Sequence, residues 1–572
     1  MKKLLFLSSQ LLSCFVFGQI PAPGGISNNL QVWVKANAGT GTSTDNAQVP
    51  VWANQRTGGA NGIANQGMPG YYADPGISAR PVYRTASSIS GFNFNPAIEI
   101  VSTNGYRSGY KFPSGFPDNA TNSLTSYTHL SRTASATYRS VFVMNGTAQS
   151  SNTTSIAGVW QSPFFGTKTN RPEFYNEKEF GDVFFGTDVI NTVESNTPSI
   201  QSYYNTSVGG NMKYFFDNNG FTYGEASNGV SSTNNYPGMV LLMDNDGGSG
   251  STSLAGDRIG EFILYSGTQT PEERQRVNSY LAVKYGVTLR QPQNYLGSDQ
   301  SVTWNAGINS VFNHNIFGIA LDDQSVLNQK VSNSIHTENN TMLTLATTND
   351  FTSANAHPGR PSFSQDKTFL ITGDNNVQDL ALVNFGTGSG KIIQRKWLAQ
   401  KTNDTGSVWL QADLSRYTDI AATDKVFMMV ADDEAFTQNV QMISATAFVN
   451  GKAVFNHSFV SNAYFVFGVN LLEYCTKDPV TGTPDSYTRI GITGHTNIQS
   501  GWPGNIPNGF IALESKNKGF VITRTTSGSI VNPVEGMLIY DTADQCFKLY
   551  NGTSWNCIVR SCNDSLTNTQ KK

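Results

Sequence analysis

Charge is scarce in this sequence: 14% of its 572 residues are Asp, Glu, Lys or Arg, where a soluble protein ordinarily carries roughly 25%. The 38 basic and 41 acidic residues nearly cancel, leaving a net charge of −3. Such a chain has no field to draw in a nucleic-acid backbone. Glu, Lys, Leu and Ala at heptad spacing are missing, which excludes long coiled coils. Beyond the N-terminus no apolar run is long enough to cross a membrane as a helix. What is abundant is uncharged: 54 Gly with Ser, Thr and Asn, alongside 34 Phe, 23 Tyr and 8 Trp. So many aromatics are ample for packed cores and argue against disorder. The composition predicts an all-β, turn-rich chain with an uncharged polar surface.

Lys2 and Lys3 precede an apolar run, Leu4 to Phe17, broken by Ser8, Ser9 and Gln10; Val16 and Gly18 stand where small or neutral residues precede cleavage. This pattern predicts a signal peptide over 1–18, a mature start near Gln19, and a secreted chain, extracellular or on the outer cell surface. The alternative is an acylation box, Leu11-Leu12-Ser13-Cys14, but Phe15 and Val16 make a poor polar tether. The remaining cysteines, Cys475, Cys546, Cys557 and Cys562, crowd the C-terminal end. An even count in an exported chain predicts two disulfides, with three connectivities open. No Cys-x-x-Cys pair or neighbouring His cluster supports a metal there.

Short β-branched and aromatic runs bounded by Gly, Asn, Asp or Ser read as strands, among them Gln31 to Val34, Ser140 to Met144, Lys213 to Phe216, Met239 to Met243 and Glu261 to Tyr265. Asp217-Asn218-Asn219-Gly220 is hairpin chemistry, since Asn and Gly tolerate positive φ. One helix stands out. Thr270 caps it, Pro271 opens it, Glu273 completes a capping box, and Gly286 stops it. Val277, Tyr280, Leu281 and the Lys284 stem form its expected buried stripe, and the helix reads as closing the first domain. Strands resume from Tyr295 to Asn470 without alternating helices, which predicts a second sandwich. A short Gly- and Pro-rich block begins at Cys475.

Several strings carry a family resemblance. Asn29 to Ala36, Val51 to Gln55 and Phe92-Asn93-Phe94-Asn95-Pro96 resemble the opening of laminin G-like domains of exported Bacteroidetes proteins, members of the concanavalin A-like lectin/glucanase superfamily. Gly256 to Tyr265, then Thr270 to Val277 and Ser279 to Leu289, resemble their last strand and closing helix. Gly318 to Asp323, Leu327 to Lys330 and Arg395 to Gln400 resemble a domain of unknown function that often follows. Leu513 to Phe520, Pro533 to Asp541 and Tyr550 to Trp555 resemble a short module at the ends of surface and fibre proteins. The resemblance implies a concanavalin A-like jelly roll with a closing helix over 19–289, a second β-rich domain over 290–470, and a small disulfide-stapled module over 471–572.

None of these families brings an assigned catalytic residue to this chain. The nearest string to the laminarinase Glu-x-Asp-x-x-Glu is Glu177-Lys178-Glu179-Phe180-Gly181-Asp182. Residues two apart on a strand lie about 6.5 Å apart on one face, close to the about 5–5.5 Å of a retaining pair. Lys178 nevertheless stands where those enzymes place a core residue, and a solvated hairpin explains the segment as well. No catalytic residue is assigned, and an enzyme is the disfavoured reading. Asp244-Asn245-Asp246-Gly247-Gly248, with Asp257 close behind, is an oxygen-rich loop and a candidate for structural calcium. Ordinary turn chemistry is the alternative. His129, His314, His336, His357, His457 and His495 are scattered, with no Gly-x-Ser-x-Gly elbow, and Gly386 to Lys391 reads as a turn. Tyr71, Tyr72, Tyr106, Tyr110, Trp160, Tyr203 and Tyr204 lie beside Asn, Ser and Gly. Flat aromatic faces next to amides and hydroxyls suit sugar rings, so these are the candidate ligand-binding residues; half-buried strand positions are the bland alternative. Asp541-Thr542-Ala543 and Asp564-Ser565-Leu566 resemble acceptor triplets for O-linked glycans.

The expected function is a secreted or cell-surface adhesion protein recognising a glycan or a matrix or surface protein through its first sandwich. A polysaccharide hydrolase on the same fold and a non-binding spacer or fibre subunit are the alternatives. Ligand and oligomeric state stay open.

Overall fold

A computed structural model describes residues 20–64, 80–101, 109–112, 123–131, 139–145, 156–162, 171–176, 181–184, 197–208, 211–228, 238–241, 256–336, 342–385, 390–422, 424–460, 462–470, 488–489, 505–506 and 521–558. The chain forms two compact units, 1–383 with 392–469, and 384–391 with 470–572.

The first unit begins with two eight-stranded sheets. One runs Phe221–Asn228, Asn211–Asn218, Ser199–Val208, Leu124–Ser131, Arg258–Ser266, Ala97–Glu99, Val82–Arg84, and Leu30–Lys35 also pairs with Arg258–Ser266. The other runs Gly181–Phe184, Arg171–Asn176, Ile156–Ser162, Arg139–Asn145, Gly238–Leu241, Tyr110–Phe112, Gly62–Ala64, Val51–Trp52. Strand alternation divides the side chains between two layers. Val32, Val34, Phe262 and Leu264 enter a core with Trp52, Tyr110, Phe112, Phe142 and Phe216. Their neighbours Trp33, Ile263 and Tyr265 point the other way, into a cluster with the helix.

That helix spans Pro271–Tyr285 with the caps its sequence prescribes. Glu273 N donates to Thr270 Oγ1 at 3.2 Å, and Thr270 N donates to Glu273 Oε2 at 2.9 Å. Thr270→Ala is expected to cost about 1 kcal/mol in thermal unfolding, the usual worth of a lost cap; an unchanged melting temperature would count against the box. Gly286 turns the chain at φ 66°, and a Cβ there would fall 2.2 Å from the Asn333 carbonyl oxygen, so glycine is required twice over.

The sequence led us to expect one buried stripe on this helix. Every residue from Val277 to Tyr285 is buried instead, because a second sandwich covers the other side. Its larger sheet contains Leu327–Gln329, His314–Asp322, Thr368–Asp374, Trp397–Thr402 and Ala463–Asn470 in that order, with Lys425–Ala431 also on Ala463–Asn470. The facing sheet runs Val331–Asn333, Leu343–Ala346, Val408–Asp413, Lys452–His457, Ala447–Val449. Phe455 of one stacks on Phe467 of the other, centroids 5.3 Å apart. A single cluster joins Trp33, Tyr127 and Tyr265 of the first sandwich, Val277, Leu281 and Tyr285 of the helix, and Trp304, Phe312, Ile316 and Phe369 of the second. The Phe92–Pro96 motif seals the helix end: Asn93 and Asn95 donate to the Lys284 carbonyl at 3.1 and 2.9 Å, and Asn93 also reaches Ser332 Oγ at 2.9 Å.

In the second unit Leu538–Asp541, Cys546–Tyr550 and Trp555–Cys557 form an antiparallel sheet, with Arg524–Thr525 parallel to the first of them. Cys546 is bonded to Cys557. Cys475 and Cys562 lie outside the described residues.

Candidate functional site

Of the tyrosines proposed to meet a sugar, three are described, and all are interior. Tyr110 is fully buried beside Trp52 and donates to the Val49 carbonyl at 3.0 Å. Tyr203 packs on Phe216, ring centroids 4.8 Å apart, on the inward pleat of its strand. Tyr204 points to the opposite face, stacked on Phe215 at 4.7 Å and covered by the Arg274 guanidinium at 4.0 Å. All three rings are buried against neighbouring side chains. Trp160 lies on strand Ile156–Ser162 opposite Glu173. Tyr71, Tyr72, Tyr106, Asp244, Asp246, Glu177, Glu179 and segment 1–18 lie outside the described residues. Asp257 is buried just before strand Arg258–Ser266, where its carbonyl accepts from Ile100 N at 2.8 Å.

The helix instead gathers a polar cluster that its sequence did not advertise. Glu261, fully buried, accepts from Trp33 Nε1 at 2.5 Å, Tyr280 OH at 2.9 Å and Lys284 Nζ at 2.5 Å. Lys284 Nζ also reaches Asn37 Oδ1 at 3.3 Å. Burial lowers the pKa of Lys284, and the Glu261 carboxylate opposes that shift. Lys35, above the Trp33 ring, is lowered to about 8, by burial first and the Lys284 charge second. His129 stacks on Tyr285 at 3.8 Å, and burial holds its pKa well below the ordinary value, so it stays neutral. Enclosed on all sides, the cluster ties strand to helix. A Glu inside an apolar strand run and a Lys inside an apolar helix stripe were the available signals.

Beside the N-terminal half of the helix opens a cleft of about 510 Å³, bounded by the hairpin Asp217 to Thr222, by Pro292 to Asn294 and by Ala306 and Gly307 of the second sandwich. Hydrogen bonds brace its walls: Gln275 Nε2 donates to the Asn294 carbonyl at 2.8 Å, Ala306 N donates to Asn294 Oδ1 at 2.9 Å, and Gln293 Nε2 donates to the Gly220 carbonyl. Asp217 and Asn278 line the cleft, each only 3% exposed. The Oδ1 atom of each meets no hydrogen-bond partner among the described residues. Burial pushes the Asp217 carboxyl up to about 6, with Thr222 and Arg274 only partly offsetting it. The Arg274 guanidinium, held over Tyr204, donates to the Gln269 carbonyl at 2.6 Å.

The C-terminal sheet inverts the usual arrangement. Its covered face carries Ile539 with Asp541 and Lys548, whose Nζ lies 2.9 Å from the Asp541 carboxylate. Leu538, Phe547 and Leu549, on the opposite face, are 41%, 51% and 40% exposed.

Residues 273–464 match a domain of unknown function (DUF8202), and residues 503–570 match a phage tail like trimerisation region. No curated protein matches the chain. Among solved structures, domain 4 of the extracellular arabinanase AbnA from Geobacillus stearothermophilus, in complex with arabinotriose, is 14% identical over 44% of this chain and 98% of that one, TM-score 0.28. A Trypanosoma rangeli sialidase mutant displaying trans-sialidase activity is 10% identical over 44% of this chain and 33% of that one, TM-score 0.28. The botulinum neurotoxin serotype C1 binding domain is 10% identical over 78% of this chain and 96% of that one, TM-score 0.31.

Proposed function

We propose that this chain is an exported surface protein that acts by binding: three copies join through residues 503–570, and each presents its pair of sandwiches to a glycan or a surface protein. The observation that carries this reading is the inverted sheet, where Leu538, Phe547 and Leu549 face outward while Asp541 and Lys548 are covered. A sheet face with three exposed apolar side chains, flanked by Arg524 over the Tyr540 ring, suits a protein partner, and the match to a trimerisation region supports taking that partner to be further copies of the chain. The Cys546–Cys557 disulfide accords with export. The laminin G-like resemblance of the first sandwich supports a binding role, and a chain poor in charge suits neutral partners.

Light scattering of the full chain after size exclusion should give the mass of three chains. Leu549→Glu, which places a charge in that face, should give the mass of one. A wild-type chain that stays monomeric at high concentration would sink the assembly reading.

A further inference from the structure

We infer that Lys284 and Asn37 are the two ends of an intramolecular amide crosslink, which the chain forms by itself with Glu261 as proton carrier. Three groups meet at this point. Lys284 Nζ lies 3.3 Å from Asn37 Oδ1, so the amide carbon stands one bond beyond a contact already made. The same nitrogen lies 2.5 Å from Glu261 Oε2, while Trp33 Nε1 and Tyr280 OH hold Oε1 in place. Amine and carboxylate are 4% and 0% exposed. Aromatic rings wall them in, with Nζ 5.5 Å and 5.1 Å from the centroids of Tyr280 and Tyr285. Asn37 differs: it is exposed, in the turn that follows Leu30–Lys35, and so stands at the rim where a leaving group reaches water.

Burial outweighs the Glu261 charge and lowers the pKa of Lys284, which favours the neutral amine that a nucleophile must be. Burial acts on Lys367 as well, but Asp322 and Asp366 outweigh it there and the pKa rises. In the reaction Glu261 first takes one proton from the Lys284 ammonium. The freed electron pair then forms the Nζ–Cγ bond to Asn37, for which the carbon must come to about 3–3.5 Å, a short rotation of an exposed amide. Glu261 passes its proton to Nδ2 and takes the second one from Nζ. The Cγ–Nδ2 bond breaks and ammonia leaves. What remains is a secondary amide and a protonated Glu261, and the step needs no co-reactant. Two buried charges disappear with it, and the cost of keeping them out of water goes too. The bond ties the first strand to the helix. Between Cys14 and Cys475 the chain has no cysteine, so no disulfide can supply such a staple to the sandwich pair.

The test is a tryptic digest of the full chain, read by mass spectrometry. Trypsin does not cut after an acylated lysine, so the bond should appear as peptide 36–56 joined to peptide 277–290, lighter than the two together by one ammonia. Fragmentation should place the link at Asn37 and Lys284. A wild-type chain that yields only the free peptides 36–56 and 277–284 overturns the inference, however the variants fold. Asn37→Ala, at an exposed position, should keep the fold and abolish the joined peptide. It should also leave Glu261 and Lys284 as the ion pair described above, and it is the background in which substitutions of either report that pair alone. A joined peptide in Asn37→Ala overturns Asn37 as the acyl partner. Glu261→Gln, which cannot carry the proton, should slow the appearance of the joined peptide after refolding by about a hundredfold, the usual worth of a positioned acid–base group. A bond that forms as fast in Glu261→Gln as in wild type overturns the part given to Glu261.

Discussion

Glu261→Leu is expected to destabilise the sandwich pair by about 3–5 kcal/mol, the penalty for stranding a buried charge after its partner is removed. The stranded group is the Lys284 ammonium, 4% exposed, and Trp33 Nε1 and Tyr280 OH lose their acceptor in the same step. Urea unfolding of wild type and variant measures the difference. Adding Lys284→Met should recover most of the loss, because an apolar pair of similar volume can replace a buried ion pair at little net change. A loss below about 1 kcal/mol for the single variant, the scale of an exposed ion pair, would mean that water reaches the cluster and that the helix is not locked as described.

Asp217→Asn is expected to act in the opposite direction. The folded state holds this carboxyl at about 6, above its ordinary 3.8, with burial as the main cause. The folded chain therefore takes up the proton more readily than the unfolded one between those values. Stability from this group is fullest below pH 3.8 and is lost as pH rises through 6. At neutral pH the ionised, buried carboxylate costs roughly 3 kcal/mol. Asparagine keeps the shape and removes the charge, so the variant should be more stable than wild type by on the order of 2–3 kcal/mol at pH 7. The difference between the two should shrink toward pH 4, as urea unfolding at several pH values will show. If it is constant across that interval, Asp217 is not the strained group.

Local chemistry made much of this architecture legible. Thr270, Pro271, Glu273 and Gly286 delimit the helix because capping depends on residues adjacent in the chain. Strand positions such as Leu30–Lys35 and Arg258–Ser266 could be read because β-branched and aromatic runs favour the pleat whatever lies around them. The candidate site was less legible. Tyr110, Tyr203 and Tyr204 have the composition of a sugar platform, yet alternation assigns a side chain to a face without saying what covers that face. Glu261 and Lys284 stand 23 residues apart, and Asp217 and Asn278 are farther apart still. Neither pair leaves a spacing signal, because each partner sits on a different element.

By itself, then, the amino-acid order determined the all-β class and the capped helix. Each of these rests on composition or on contacts within a few residues. Only the tertiary structure decided that the helix is enclosed by two sandwiches, that Glu261 and Lys284 meet beneath it, and that Asp217 and Asn278 come together on one cleft with a buried oxygen each. Those outcomes depend on which faces remain after the sheets have packed, and the chain settles that only when its distant segments compete for the same core.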